Sequence, residues 1–323
     1  MSSPSPRVMR KATAIIRSGG IIAFPTETVY GLGADAFNPI AVARIFEAKN
    51  RPLFDPLIVH IADLSQLGAL ASVVDRRAGR LAGRFWPGPL TLVVPKSERV
   101  PDIVTAGLDT VAVRMPDHLI ALDLIKGSGT PIAAPSANRF GYISPTKATH
   151  VLEQIGDRVD MIIDGGGCSV GVESTIIKID GDRSVVLRPG GVPIEEIEAM
   201  IGPVETAPVT AGDPESPGRL PSHYSPRMPV FLASGIRDID FSRSDAGFLL
   251  FRKPEFEVPV ERTEILSVDG DLNEAAANLF SSLHHLDKMP IRAIIAEPVP
   301  EKGLGIAIMD RLRRAAHRGE GET

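Results

Sequence analysis

The chain has 323 residues, a formal net charge of -5, 43% hydrophobic and 23% charged residues, the balance of a globular protein with buried cores in about two domains. That charge excludes a global basic field drawing the chain onto nucleic acid or membrane, so any RNA contact is expected to be local and weak. The single cysteine, Cys168, excludes a disulfide within the chain and points to a reducing compartment.

In chain order, a helix is expected over 7–17, stopped by Gly19-Gly20, then a strand at 21–24 and the stretch FPTETVYGLGADA. Asn38 followed by Pro39 predicts a capped helix start and a helix over 39–49. Strands follow at 57–61, 90–94, 111–114, 131–134, 160–163, 175–179 and 184–188, interleaved with helices over 73–85, 117–126, 146–155 and 194–201. This alternation predicts an α/β architecture. It breaks at 203–229, PVETAPVTAGDPESPGRLPSHYSPRMP, too rich in proline and glycine for a helix or central strand. Beyond it, strands near 229–233, 247–251, 264–268 and 291–296 and helices near 271–287 and 305–317 form a smaller unit. The expected organisation is a catalytic domain over 1–203, a linker or lid over 204–228 and a small α/β domain over 229–323. No uncharged apolar run approaches the ~18 residues of a membrane span. The start MSSPSPRVMRK lacks the apolar core of a signal peptide. A cytoplasmic protein without a membrane partner is expected.

GLGADA fits the dinucleotide fingerprint G-x-G-x-x-G/A, but a dinucleotide site needs its glycines directly after a strand and at the mouth of a helix. Here Pro25–Tyr30 separates strand from glycine, the next helix begins at Asn38, and no acidic residue ends a second strand about 20 residues on. No NAD or flavin is expected. Thr26, Thr28 and Tyr30 alternate, so a locally extended chain turns three hydroxyls to one face, with Gly31 and Gly33 shaping the turn; threonines that cap a turn are the competing reading.

Cations gather at element ends. Lys49 and Arg51 close the helix over 39–49, a placement that the helix dipole alone would favour. Arg114 and Arg188 end strands. His60 lies in an apolar strand, where a histidine is ordinarily a core residue. Ser136 and Asn138 follow a buried strand in APSAN, and DGGGCSVGVEST supplies a glycine-rich turn able to aim amides at an anion. In an acidic protein this set reads as a polyanion pocket, most simply for a nucleoside triphosphate. No H-E-x-x-H, cysteine pair or acidic cluster announces a metal site, and neither G-x-x-x-x-G-K-[ST] nor G-x-S-x-G occurs. Mg²⁺, where it takes part, is expected to arrive with the phosphates and keep mostly water ligands.

PTETVYGLGADA, K-x-R-P…PLIVHI, APSAN, DGG…G-x-EST-I and LRPG, in this order, resemble the YrdC-like threonylcarbamoyl-AMP synthases. SPG…HYSP, NLF…LD and PEKGLGIAIMDRLRRA resemble the longer two-domain form. The resemblance implies a twisted-sheet α/β domain with a large concave cavity, then a small Rossmann-like α/β C-terminal domain. It implies condensation of L-threonine, bicarbonate and ATP to threonylcarbamoyl-adenylate and pyrophosphate, for threonylcarbamoyladenosine formation on tRNA by downstream transfer proteins. The site it implies has Lys49, Arg51, Ser136 and Asn138 tied to activity. It gives Thr28, His60, Arg114, Ala134 and Ser174 to threonine, and Arg51, Asp55, Thr110, Ser136, Ser144, Arg188 and Tyr224 to ATP. Asp55 stands where the family usually has Asn, putting a carboxylate near phosphates, and Arg219 stands where it commonly has Met. The alternative is a non-catalytic RNA-binding relative sharing the cavity, for which a basic surface is expected; another carbamoyl-transfer enzyme on the same domain is the third reading.

Overall fold

The computed structural model describes residues 4–207 and 224–317. The first helix, Pro6–Arg17, begins where the Ser5 hydroxyl accepts from the Val8 amide and Pro6 pre-sets the first turn. It leads into β1 (Ile22–Phe24) and β2 (Gly31–Asp35), an antiparallel pair. Gly31 and Gly33 therefore lie inside a strand, neither at a helix mouth nor in the turn the sequence suggested. At Gly33 a Cβ would stand 2.6 Å from the Phe24 ring and from Ile132, so the glycine allows β2 to lie close against its neighbours.

The Asn38 carboxamide accepts from the amides of Ile40 and Ala41 to open the helix Pro39–Lys49. Then come β3 (Ile58–His60), β4 (Leu90–Pro95), β5 (Thr110–Arg114), β6 (Ile132–Ala133), β7 (Met161–Ile162), β8 (Thr175–Asp180), β9 (Arg183–Arg188) and β10 (Glu205–Thr206). They form one mixed ten-stranded sheet in the order β10-β9-β8-β4-β5-β3-β6-β2-β1-β7. The buried centre of this sheet is apolar (Val59, Leu92, Val113 and Ile177 among others), so polar side chains at its strand ends stand against a rigid wall. β10 adds a short strand to the sheet edge within the stretch read as linker, and residues 208–223 of that stretch, Arg219 included, lie outside the described residues.

The second sheet holds β11 (Val230–Leu232), β12 (Ala246–Arg252), β13 (Thr263–Ser267) and β14 (Ala293–Ala296), all parallel in the order β11-β14-β12-β13. β12 reads AGFLLFR and is buried over all but its last residue, as expected of a strand covered on both faces. Leu249 and Phe251 pack with the helices Leu272–Leu286 and Leu304–Ala316, while Phe248 and Leu250 pack under Ile236, Phe241 and Val258. Both long helices thus cover one face and loop residues cover the other.

The two sheets share apolar contacts. Val29, Ile143 and Val172 of the first domain join Tyr224 and the C-terminal helices in one cluster. Gly171, at φ +77°, lies so close to the helix Leu272–Leu286 that a Cβ would fall 2.3 Å from the Ala276 carbonyl. This glycine of the DGGGCSVGVEST stretch serves domain contact.

Candidate active site

A cavity opens where the ends of β3, β5, β8 and β9 meet the loops after β1 and β6. Its walls include Thr28, Arg51, His60, Arg114, Ala134, Ser136, Ser174, Arg188 and Tyr224. Parallel pairing of β3 and β5 sets His60 opposite Arg114. The residues after β6 continue across β2, with an isolated bridge between Gly31 and Ser136, which brings Ala134 and Ser136 to the same mouth. Antiparallel β8 and β9 place Ile176 opposite Arg188, so Ser174 and Arg188 share a wall.

The hydroxyl loop divides its labour. Thr26 Oγ1 donates to the Val29 carbonyl at 2.6 Å and accepts from the amides of Thr28 and Val29, which makes it the turn cap. Thr28 Oγ1 lies 2.9 Å from Thr26 Oγ1 and accepts from Arg114 Nη1 at 3.0 Å. Tyr30 departs from the expected three-hydroxyl face: its OH donates to the Gly166 carbonyl at 2.8 Å and accepts from the Gly165 amide, and the ring is buried in the core.

Each cation is held by specific acceptors. Arg114 Nη2 donates to Glu27 Oε1 at 2.6 Å and Nε to the Gly88 carbonyl at 3.3 Å. Arg51 Nε and Nη2 donate to the carbonyls of Asp55 and Pro56 at 3.1 and 2.9 Å, and Nη2 lies 2.8 Å from the Asp55 carboxylate. Arg188 Nη2 and Nε donate to the Ser174 carbonyl at 3.0 and 3.3 Å. Ser174 Oγ lies 2.7 Å from Thr91 Oγ1.

Four expected residues stand behind the wall. Lys49 Nζ donates to the carbonyls of Ser136 and Asn138 at 2.6 and 2.5 Å and to Asn138 Oδ1 at 3.2 Å. Asn138 Oδ1 also accepts from Ser136 Oγ, and its Nδ2 donates to the Tyr142 carbonyl at 2.7 Å. Asp55 is fully buried beside Arg51. Burial raises its carboxyl while Arg51, Lys49 and Arg188 pull it down, and burial prevails. Ser144 Oγ donates to Glu173 Oε1 at 2.5 Å. Thr110, half-buried at the far end of β5 from Arg114, does not line the cavity.

Burial pushes His60 down to about 3, with Arg114 adding to the depression, so its ring is neutral near pH 7. At the domain boundary His150 and His284 stack with centroids 3.9 Å apart, and burial lowers them to about 3 and about 4. An unfolded histidine titrates near ~6.5, so between that value and the folded pKa the unfolded chain binds more protons. Stability is then full above about pH 6.5 and falls as the pH drops toward 4, each histidine adding a slope of up to about 1.4 kcal/mol per pH unit. Urea unfolding between pH 7 and 4.5 checks this; a flat midpoint would refute neutral burial of all three.

With this geometry in hand, residues 14–190 match the Sua5/YciO/YrdC family model, described as telomere recombination. Residues 192–317 match the threonylcarbamoyl-AMP synthase C-terminal domain. The chain belongs to the threonylcarbamoyl-AMP synthase family, in its two-domain form. A threonylcarbamoyl-AMP synthase of Pyrococcus abyssi is 48% identical over 318 residues, 95% of this chain and 94% of the relative. One of Bacillus subtilis is 43% identical, covering 98% and 94%. The crystal structure of P. abyssi Sua5 complexed with L-threonine superposes with a TM-score of 0.92 at 46% identity, covering 98% of this chain and 96% of that one. No helix of the family member described here, among its described residues, is long and apolar enough to cross a membrane.

The family motifs carry three charged partners that reading their cations alone passes over. Glu27 sits between the two threonines of PTETVY and pairs with Arg114. Glu173, of the EST motif, lines the cavity. Arg311, from the C-terminal helix Leu304–Ala316, donates from Nε to Glu173 Oε2 at 2.9 Å. The signal for the first two was the acidic residue inside each hydroxyl motif, since a carboxylate flanked by buried residues needs a cation. Arg311 lies more than a hundred residues from its partner, so no local pattern announces it.

Proposed function

We propose that the protein condenses L-threonine, bicarbonate and ATP into L-threonylcarbamoyladenylate and pyrophosphate, the activated group used for threonylcarbamoyladenosine on tRNA. The observation that carries this reading is one cavity that combines Arg114 and Thr28, bonded to each other, with Arg51 and Arg188. A guanidinium beside a hydroxyl suits an amino-acid carboxylate and its side-chain oxygen, and two further guanidinium groups suit phosphates.

In this reading the threonine amine forms a bond to the carbon of bicarbonate, and the bicarbonate hydroxyl leaves as water with one amine proton, giving a carbamate. A carbamate oxygen attacks the α-phosphorus, the bond to the β-phosphate oxygen breaks, and pyrophosphate leaves with the electron pair. No protein nucleophile is needed; the protein aligns two substrates and compensates phosphate charge. Arg114, Thr28 and Ser174 hold threonine, with neutral His60 and Ala134 bounding it. Arg51, Ser136 and Arg188 meet the nucleotide. Tyr224, buried at 1% exposure against the cavity, screens a hydrolysable mixed anhydride from water.

Mg²⁺ enters as part of the nucleotide substrate. Among the described residues no three of His, Cys, Asp and Glu gather as a metal cage, and Glu173, the carboxylate lining the cavity, is already held by Ser144 and Arg311. In this reading the ion is carried by phosphate oxygens and keeps mostly water ligands. The product passes to downstream transfer proteins in the cytoplasm, which carry the main tRNA contact in this reading.

Pyrophosphate release from ATP, measured with and without threonine and bicarbonate, tests the proposal. Release that requires both is expected; release indifferent to threonine would overturn the synthase reading, and no release under any of these conditions would leave a non-catalytic RNA-binding relative as the better one.

A further inference from the structure

We propose that Arg311, carried by the C-terminal domain, is a positioning residue for the nucleotide wall of the cavity, acting through Glu173, the Pro189 carbonyl and the Tyr224 ring. The inference rests on the proposed ATP chemistry of that wall and gives the second domain a part in it.

Arg311 has no exposed surface. Its Nε donates to Glu173 Oε2 at 2.9 Å, and its Nη1 donates to the Pro189 carbonyl at 3.0 Å and to Asp310 Oδ2 at 2.7 Å. The guanidinium carbon lies 5.0 Å from the centroid of the Tyr224 ring. Glu173, Pro189 and Tyr224 each lead to the cavity, whereas Asp310 does not line it. Glu173 lines it and orders the Ser144 hydroxyl through its other oxygen. Pro189 follows Arg188 directly, so fixing its carbonyl fixes the end of β9 from which Arg188 projects. Tyr224 closes the same wall.

Stability alone is a poor reason for this arrangement. A buried ion pair loses in desolvation about what it gains in attraction, and apolar residues of equal volume commonly hold two elements together as well. A planar fork with donors aimed in different directions can instead fix two wall segments and stack on a third, which an ammonium cannot do. The charge matters too: burial by itself would raise the Glu173 carboxyl, but Arg311, Arg188 and Ser144 outweigh it and keep it ionised. An ionised Glu173 accepts from Ser144 and leaves that hydroxyl's lone pairs facing away.

The test uses the full chain and two calorimetric readouts, ATP affinity and threonine affinity, each measured alone. Arg311→Met is expected to weaken ATP at least about tenfold while threonine affinity stays within about twofold, because the Arg114–Glu27–Thr28 group is untouched. Adding Glu173→Gln to Arg311→Met should weaken ATP little further, since Glu173 has already lost the cation that positions it. Ser281→Ala removes a hydrogen bond to Thr146 across the same domain boundary; it should lower the melting temperature and leave ATP affinity unchanged. Equal ATP affinity in Arg311→Met and wild type, with melting lowered as in Ser281→Ala, would make Arg311 a clamp between domains and overturn the proposal. A parallel loss of threonine affinity would overturn it as well. Should Arg311→Met fail to fold, Arg311→Lys decides: it keeps the charge and loses the fork, so weakened ATP binding supports the proposal and unchanged binding refutes it. Wild-type protein that binds ATP but releases no threonine-dependent pyrophosphate would defeat the synthase reading while leaving these affinities to judge Arg311.

Discussion

Lys49→Met is expected to lower threonine-dependent pyrophosphate release by at least about 100-fold while the protein stays folded. Lys49 is 1% exposed and does not itself line the cavity. Its three acceptors all belong to Ser136 and Asn138, so it pins the turn that presents Ser136 to the cavity. Burial lowers the Lys49 pKa, with the neighbouring Arg51 adding to the effect, yet donation to two carbonyls and an amide oxygen favours the charged form. Methionine fills the stem's volume but leaves buried carbonyls unpaired, at about 1–3 kcal/mol each, and the turn must move to find water. A displacement of about 1 Å at an aligning group can cost on the order of 100-fold in rate. Initial rates together with thermal melting check this. Rates within about threefold of wild type in a folded variant would mean that the turn holds its position without the lysine.

The sequence made the strands legible because their apolar, β-branched runs are long enough to outweigh local noise. Residues 57–61 and 175–179 read as strands and become β3, one residue shorter at each end, and β8, one residue longer at its C-terminal end. β2 was missed for a physical reason: GLGAD has two glycines and little β-propensity, and it is a strand because Phe24 and Ile132 pack into the space that a Cβ at Gly33 would fill. The candidate site was legible as a set of cations, hydroxyls and one histidine at strand ends. What each does there was not, since that depends on partners distant in sequence. Lys49 reads as a helix-end cation and is in fact bonded to a turn almost ninety residues away. Tyr30 shares the alternation of Thr26 and Thr28 but turns into the core toward Gly166, because β2 begins immediately after it.

Charge balance also changes the pocket's character. Read as a sequence, it is a gathering of cations that any polyanion would fit. In the fold, Arg51 faces Asp55, Arg114 faces Glu27 and Arg311 faces Glu173, so much of the positive charge is already spoken for. Pairing of this kind lets several guanidinium groups stand close together in a low-dielectric wall before substrate enters. It also restricts where a substrate's charge can be accepted, since a bound anion must share an arginine with its resident carboxylate. Asp55 illustrates the consequence: it contacts Arg51 from behind the cavity wall rather than lining the cavity, so on the proposed reading its charge reaches a nucleotide only through Arg51.

The Arg114–Glu27 pair gives the sharpest separation between neutralising a neighbour and binding a substrate. Arg114→Gln should weaken threonine on the order of 10- to 100-fold, the worth of a hydrogen bond to a charged group, about 1.5–3 kcal/mol. It should also destabilise the protein by about 3–5 kcal/mol, because Glu27, 5% exposed, is left as an uncompensated buried charge. Glu27→Gln placed beside Arg114→Gln removes that charge, and amide can then face amide. The double variant is therefore expected to recover most of the lost stability and none of the lost threonine affinity. Urea unfolding and threonine calorimetry on wild type, both single variants and the double variant give the full cycle. Were threonine affinity to return with stability in the double variant, Arg114 would serve only to neutralise Glu27, and the threonine carboxylate would need another partner in the cavity. Affinity that stays lost after stability returns fixes Arg114 as a group that touches substrate, with Glu27 holding its fork toward Thr28.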